Sequence, residues 1–151
     1  NYKFDKKTLE DLTIKLKNLE INNKIKLVIL SSRRTDQFII DHFDNEFGNS
    51  HISWSEQKNP YIALLGLSKF IICTSDSVSM ISEAIYSKKP VFIYRLQSKK
   101  TMNRLENFID LLLHKGYVRL FTNLIEEFSH NYENETEEVA RRIYQMYIEA
   151  K

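Results

Sequence analysis

Two apolar runs, Phe70-Ile71-Ile72-Cys73-Thr74 and Pro90-Val91-Phe92-Ile93-Tyr94, flank a stretch whose apolar residues recur at helical spacing. A strand that is apolar at nearly every position must be covered on both faces, which is the situation of strands in a parallel sheet. The stretch between them, 77–87, places Val78, Ile81 and Ile85 inward on one helical stripe. Strand, helix and strand in this order form the unit from which doubly wound α/β sheets are built.

The same alternation extends along the chain. Residues 5–20 carry Leu9, Leu12, Leu16 and Leu19 on one stripe, and Asn22-Asn23 ends that helix. An apolar strand follows at 26–31, then a helical stripe of Phe38, Ile39, His42, Phe43 and Phe47 that closes near Gly48. His51-Ile52-Ser53-Trp54 reads as a short strand. Asn59-Pro60 opens a helix running to about Leu67, because proline at a first helical position loses no hydrogen bond and asparagine can cap. Beyond Tyr94, Met102, Leu105, Phe108, Ile109 and Leu112 mark a helix ended by Gly116. Tyr117–Phe121 is a last short strand. The final helix, 135–150, has Val139, Ile143, Met146 and Tyr147 inward and Glu137/Arg141 and Glu138/Arg142 as outward pairs. The expected fold is α/β: a Rossmann-like, doubly wound parallel sheet with helices on both faces, in one domain spanning 1–151. A helix at 5–20 leading into a buried strand implies that another strand precedes it in the sheet. An open or self-associating edge is therefore expected beside 26–31.

Composition limits the classes of partner. Lys and Arg number 22 against 20 Asp and Glu, a net charge of +2, so no polybasic coat for nucleic acid exists. No apolar run approaches the roughly 20 residues of a membrane helix, although peripheral contact with a membrane is compatible with the sequence. The opening residues, Asn1-Tyr2-Lys3-Phe4, contain neither a signal-peptide core nor an initiator Met, so the chain reads as a piece of a longer protein. A single cysteine, Cys73, suits a reducing, cytoplasmic compartment and cannot supply a thiolate zinc site. The four histidines are scattered, and neither a metal site nor a bound cofactor is expected.

Ligands of open parallel sheets bind beyond the carboxyl ends of the strands. Three segments meet that description: Ser31-Ser32-Arg33-Arg34-Thr35, Thr74-Ser75-Asp76-Ser77, and Arg95 with Lys99 and Lys100. Arginines, hydroxyls and a helix start suit a phosphate or diphosphate. Helix capping accounts for one hydroxyl per helix but not for the Arg33-Arg34 pair. Ser75, Ser79 and Glu83 are spaced four apart and share a helix face. A carboxylate two turns into that helix can accept hydrogen bonds from a vicinal diol such as a ribose. The plainer alternative is a solvated glutamate on an amphipathic helix.

These segments, with Asn59-Pro60-Tyr61, Ser79-Met80-Ile81-Ser82-Glu83-Ala84 and Lys89-Pro90-Val91, resemble in order and spacing the "elongated mitochondria" fission family of plants and bacteria. That family in turn resembles glycosyltransferases with paired Rossmann-like domains (the GT-B type). The resemblance implies the C-terminal half of such a protein, binding a nucleotide-diphosphate sugar of UDP or GDP type and packing on an N-terminal acceptor domain. It implies Ser77 and Ser79 at the phosphates and Glu83 at the ribose, with Ser32, Arg33, Arg34, Ser75, Asp76 and Arg95 completing the binding set. No catalytic residue is assigned to this half. Two features depart from the family pattern. The Gly-rich strand-loop expected before Asn1 is absent, and Ser87-Lys88-Lys89-Pro90 lacks the usual glycine. Catalysis by this half alone is therefore not expected. The alternative is an interaction module, without turnover, that recruits a membrane-remodelling partner such as a dynamin. Nucleotide-sugar epimerisation is disfavoured, since no acid/base pair is evident.

Overall fold

The computed structural model describes residues 2–53, 59–98, 104–132 and 135–149. Within them the chain is a mixed α/β structure with parallel strands. Strand β1 (Tyr2–Lys3) leads into helix α1 (Lys6–Asn23), which is followed by β2 (Ile29–Leu30), α2 (Gln37–Phe47) and β3 (His51–Ile52). Then come α3 (Tyr61–Leu67), β4 (Ile71–Thr74), α4 (Val78–Tyr86) and β5 (Val91–Tyr94). The remaining elements are β6 (Gln97–Ser98), α5 (Arg104–His114), β7 (Arg119–Leu120) and α6 (Glu135–Glu149). Trp54, Lys99, Lys100 and Met102, which the sequence places in a strand, on the rim and in a helix, lie outside the described residues, as does the side chain of Glu137.

Side-chain alternation along β5 explains the layering. Phe92 and Tyr94 point into a cluster with Leu9, Leu12, Leu16 and Leu19 of α1 and with Ile39 and Phe43 of α2. Val91 and Ile93 point the other way, into Ile81, Ala84 and Ile85 of α4 and Ile109 and Leu112 of α5. All four β5 residues are buried, each contributing about 1.5–3 kcal/mol by leaving water. Helices therefore cover both faces of β5, as a strand with no polar position requires.

The helix boundaries follow from specific caps. Asp5 Oδ1 accepts the Thr8 amide at 3.0 Å and starts α1. Asn59 Oδ1 accepts the Tyr61 amide at 3.0 Å at the head of α3. Gly116, at φ +69°, ends α5. Its amide reaches the Leu113 carbonyl and the Tyr117 amide reaches that of Leu112, both at 3.0 Å. This paired reversal requires a left-handed residue, which glycine supplies without strain.

Three findings correct the expected pattern. Instead of one sheet, the parallel strands form two, β2-β3 and β4-β5-β7, and a third, antiparallel pair joins β1 to β6. Among the described residues no ladder joins β2 to β4, and the strand expected at 26–31 shortens to Ile29–Leu30. Val78 is 45% exposed because it begins α4 at the rim of the sheet rather than over it. On α6, Val139, Ile143, Met146 and Tyr147 are all more than half exposed, between 53% and 69%. Helical spacing puts them on one face but does not supply a surface to cover it. The outward pair Glu138–Arg142 forms, at 2.9 Å. Among the described residues no helix is long and apolar enough to cross a membrane.

Candidate functional site

The first rim segment is a tight turn tied by its own hydroxyls. Ser32 donates its amide to Thr35 Oγ1 at 2.9 Å, the Arg34 amide reaches Ser32 Oγ at 3.2 Å, and the Thr35 amide reaches the Ser32 carbonyl at 3.0 Å. The turn leaves Arg33 and Arg34 exposed, and neither makes an ion pair with another described residue.

Just before it, Ser31 continues the β2 ladder by donating its amide to the Ile52 carbonyl at 3.0 Å. Its hydroxyl lies 2.6 Å from His51 Nε2, and His51 Nδ1 lies 2.7 Å from Asp44 Oδ1. The order of groups is that of a nucleophile, a base and an orienting acid. Ser31, however, is only 4% exposed and the imidazole is fully buried. The trio is a polar strut joining β2, β3 and α2. Its sequence signal, a histidine opening a short strand, was readable only as a scattered residue.

The second segment divides its labour. Ser75 is fully buried, donating its amide to the Tyr94 carbonyl at 3.0 Å and accepting the Leu96 amide on Oγ at 2.8 Å. It stitches β4 to β5. Ser77 caps α4, its Oγ at 3.5 Å from the Met80 amide. Asp76 is exposed, and its Oδ1 accepts the Thr74 hydroxyl at 2.7 Å.

A cavity of about 1040 Å³ brings part of the two segments together. Its polar lining includes Ser32, Arg34 and Thr35 of the first segment and Thr74 and Asp76 of the second, with Lys26, Asp36 and Lys69 among the other charged residues, while most of its wall is apolar. Of the sequence-derived set, Ser32, Arg34 and Asp76 therefore line one cavity. Arg33, Ser79 and Glu83 are exposed outside this lining, and Ser75 and Ser77 are engaged in structural hydrogen bonds. Glu83 instead neighbours Tyr61 on α3. The Tyr61 hydroxyl is sealed from solvent, and its pKa is pushed upward by burial first and by the Glu83 carboxylate next.

Arg95 departs furthest from its expected place. It pairs with Asp110 and, at 3.3 Å, with Glu106, both on α5. It lines a different, smaller cavity of about 370 Å³ shared with Thr8, Asp11 and Lys15 of α1. Glu106 and Asp110 are four apart on a helix, a carboxylate pair visible in the sequence that could have claimed this arginine.

Chemically, one guanidinium with hydroxyls from a turn can bind an anion, and the Asp76 carboxylate on the same cavity can accept hydrogen bonds from sugar or ribose hydroxyls.

An uncharacterized protein of Rickettsia prowazekii, RP120, is 33% identical over 136 residues, covering 85% of this chain and 38% of that protein. The mitochondrial fission protein ELM1 of Arabidopsis thaliana is 36% identical over 94 residues, 60% of this chain and 22% of that protein. The chain thus spans less than two-fifths of the length of either relative. No solved structure matches it. The sequence model described as Mitochondrial fission ELM1 matches residues 1–147, and the chain belongs to that family.

Proposed function

We propose that this chain is a Rossmann-like domain that binds a nucleotide-diphosphate sugar, in the manner of the C-terminal half of a GT-B-type glycosyltransferase. One observation carries the reading: Ser32, Arg34 and Asp76 line one cavity although some forty residues separate the two loops. Both loops follow the carboxyl ends of parallel strands, where α/β sheets bind ligands. Arg34 and the Ser32–Thr35 turn would hold the diphosphate, assisted by Arg33 and the start of α4 with Ser77 and Ser79. Asp76 or Glu83 would accept the ribose hydroxyls. The acceptor side would come from an N-terminal domain of the longer protein, in the cytoplasm.

The second reading is an interaction module for a membrane-remodelling partner. It is favoured by the exposed apolar residues of α6 and by the fission role in the name of the Arabidopsis relative. Calorimetric titration with UDP, GDP and their sugars separates the two. Saturable binding by one nucleotide series supports the first reading; no heat from any of them at millimolar ligand assigns the fold to the second.

A further inference from the structure

The turn that carries Ser32 and Arg34 is closed by bonds internal to residues 32–35, Ser32 with Thr35 and Arg34 with Ser32. Such bonds fix the shape of the turn but not its aim. Aim is set at the two ends: at Ser31, just past β2, and at Asp36, whose carbonyl accepts the Ile39 amide at 3.0 Å as α2 begins. The angle between β2 and α2 therefore sets the direction in which the turn faces.

That angle is braced. Asp44 lies two helical turns beyond Asp36, roughly 12 Å along α2 at 1.5 Å per residue, and its Oδ1 is 2.7 Å from His51 Nδ1. His51 Nε2 is in turn 2.6 Å from the Ser31 hydroxyl. Strand end, turn and helix thus form a triangle whose third side is the imidazole. The ring is held in place: His51 pairs with Ile29 across the ladder, its side chain is fully buried, and the Phe43 ring lies 5.6 Å away. An ionised carboxylate only accepts hydrogen bonds, so in the neutral imidazole Nδ1 carries the proton and Nε2 accepts the Ser31 hydroxyl. With every group given one role, a buried network of this kind selects a single geometry.

Neither Asp44 nor His51 lines the cavity, whereas Ser31, Ser32, Arg34, Thr35 and Asp36 all do. The brace ends where the site begins. We propose that Asp44 and His51 are positioning residues for the phosphate-bearing ligand, acting through Ser31 to aim the Ser32–Thr35 turn and the Arg34 guanidinium. This rests on the reading of that turn as the diphosphate holder, and adds to it a determinant of affinity that the ligand does not touch. Two other polar ties of α2, His42 to Thr13 at 2.9 Å and Glu46 to Lys17, run to α1 and not to the strand that bears the turn. Breaking one of them loosens the same helix without releasing Ser31.

Calorimetric titration of the intact protein with UDP, GDP and inorganic pyrophosphate tests this on the parent, Asp44→Ala, Asp44→Asn and Glu46→Ala. Asp44 is 56% exposed, so truncating it removes little packing. At a temperature where circular dichroism shows the variant folded, Asp44→Ala should weaken diphosphate binding by about tenfold, the scale on which partners behind a ligating group act. Asp44→Asn, whose amide oxygen still accepts from Nδ1, should recover most of that loss, and Glu46→Ala should bind as the parent does. Nitrogen-15 spectra of labelled histidine should show the neutral His51 ring of the parent protonated at Nδ1. Parent affinity in Asp44→Ala, or an equal loss in Glu46→Ala, would overturn the proposal and leave the turn's role in binding intact. A parent ring protonated at Nε2 would overturn it whether or not any variant folds. No binding by the parent would remove the diphosphate reading itself, and the proposal with it.

Discussion

The hydroxyl of Tyr94, the last residue of β5, lies 2.8 Å from Asp11 Oδ2 on α1 and 3.1 Å from the Thr8 carbonyl oxygen. Residues 83 positions apart are thereby clamped where the sheet meets its first helix. Asp11 is also paired with Lys15, and these bonds, Lys15 first, outweigh burial to hold its carboxyl below the usual range. Because Asp11 is half exposed, the clamp is worth less than a fully buried charged hydrogen bond. Tyr94→Phe should therefore cost about 1 kcal/mol, lowering Tm by about 2–4 °C for a domain of this size. A scanning-calorimetry shift below 1 °C would show that α1 is held by its leucines alone.

Ser75 should behave as a scaffold residue although it sits in the most site-like segment of the sequence. Replacing it with alanine leaves the buried Leu96 amide without an acceptor, at a cost of about 1–3 kcal/mol. Urea unfolding should show that loss while nucleotide affinity, measured below the unfolding transition, stays within about twofold of the parent.

Arg34 and Arg95 should separate in the opposite sense. Arg34→Ala is expected to weaken nucleotide binding by about 1.5–3 kcal/mol, the scale of a hydrogen bond to a charged group, and to move stability by less than about 0.5 kcal/mol. Arg95→Ala breaks its pairs with Glu106 and Asp110 and should leave affinity unchanged, because that guanidinium faces α5. Equal losses of affinity in the two variants would place both arginines at one ligand.

Cys73 sets an alkaline limit. Burial, with a smaller push from Asp76, raises its thiol from an ordinary value of 9.0 to about 12. The unfolded chain releases this proton from about pH 9 while the folded chain holds it to about pH 12, so the unfolded state binds fewer protons in that window. Stability must fall as pH rises there, by up to about 1.4 kcal/mol per pH unit from this group. The raised hydroxyls of Tyr61 and Tyr94 act in the same direction above pH 10. Cys73→Ala should flatten the decline between pH 9 and 10, where the tyrosines contribute little. An unchanged slope in urea titrations across that interval would mean the thiol is not the group responsible.

What the sequence made legible was whatever repeats or caps locally. The unbroken apolar run at β5, the leucine stripe of α1 and Gly116 at the end of α5 each state their structure within a few residues. β1 and β6 escaped because a two-residue antiparallel contact, Tyr2–Lys3 with Gln97–Ser98, has no periodicity to read. The apolar stripe of α6 misled for a different reason: period 3.6 reports which residues share a face, and is silent on whether anything lies against it. At the rim, hydroxyl chemistry was legible but orientation was not. Nothing local distinguishes Ser75, turned into the β4–β5 ladder, from Ser32, at the cavity. Arg95 went astray because its partners lie a helix away, at Glu106 and Asp110.

Glu83 offers the sharpest separation of ligand from scaffold. It lies six residues beyond the Ser77 cap, roughly 9 Å along α4 at 1.5 Å per residue. That is about the reach from a diphosphate to the far side of a ribose, and too far into the helix for the dipole to matter to a carboxylate. Glu83 also raises the pKa of the shielded Tyr61 hydroxyl of α3, after burial itself, which gives it a competing influence within the scaffold. Glu83→Gln keeps the shape and removes the charge, so the two tasks answer differently to it. If Glu83 holds a ribose, UDP affinity should drop by about tenfold while pyrophosphate affinity and Tm are unchanged. If it serves Tyr61, Tm should shift, Tyr61→Phe should reproduce the shift, and both ligands should bind as in the parent. Equal weakening of UDP and pyrophosphate would place the carboxylate's influence at the phosphates and remove Glu83 from the ribose.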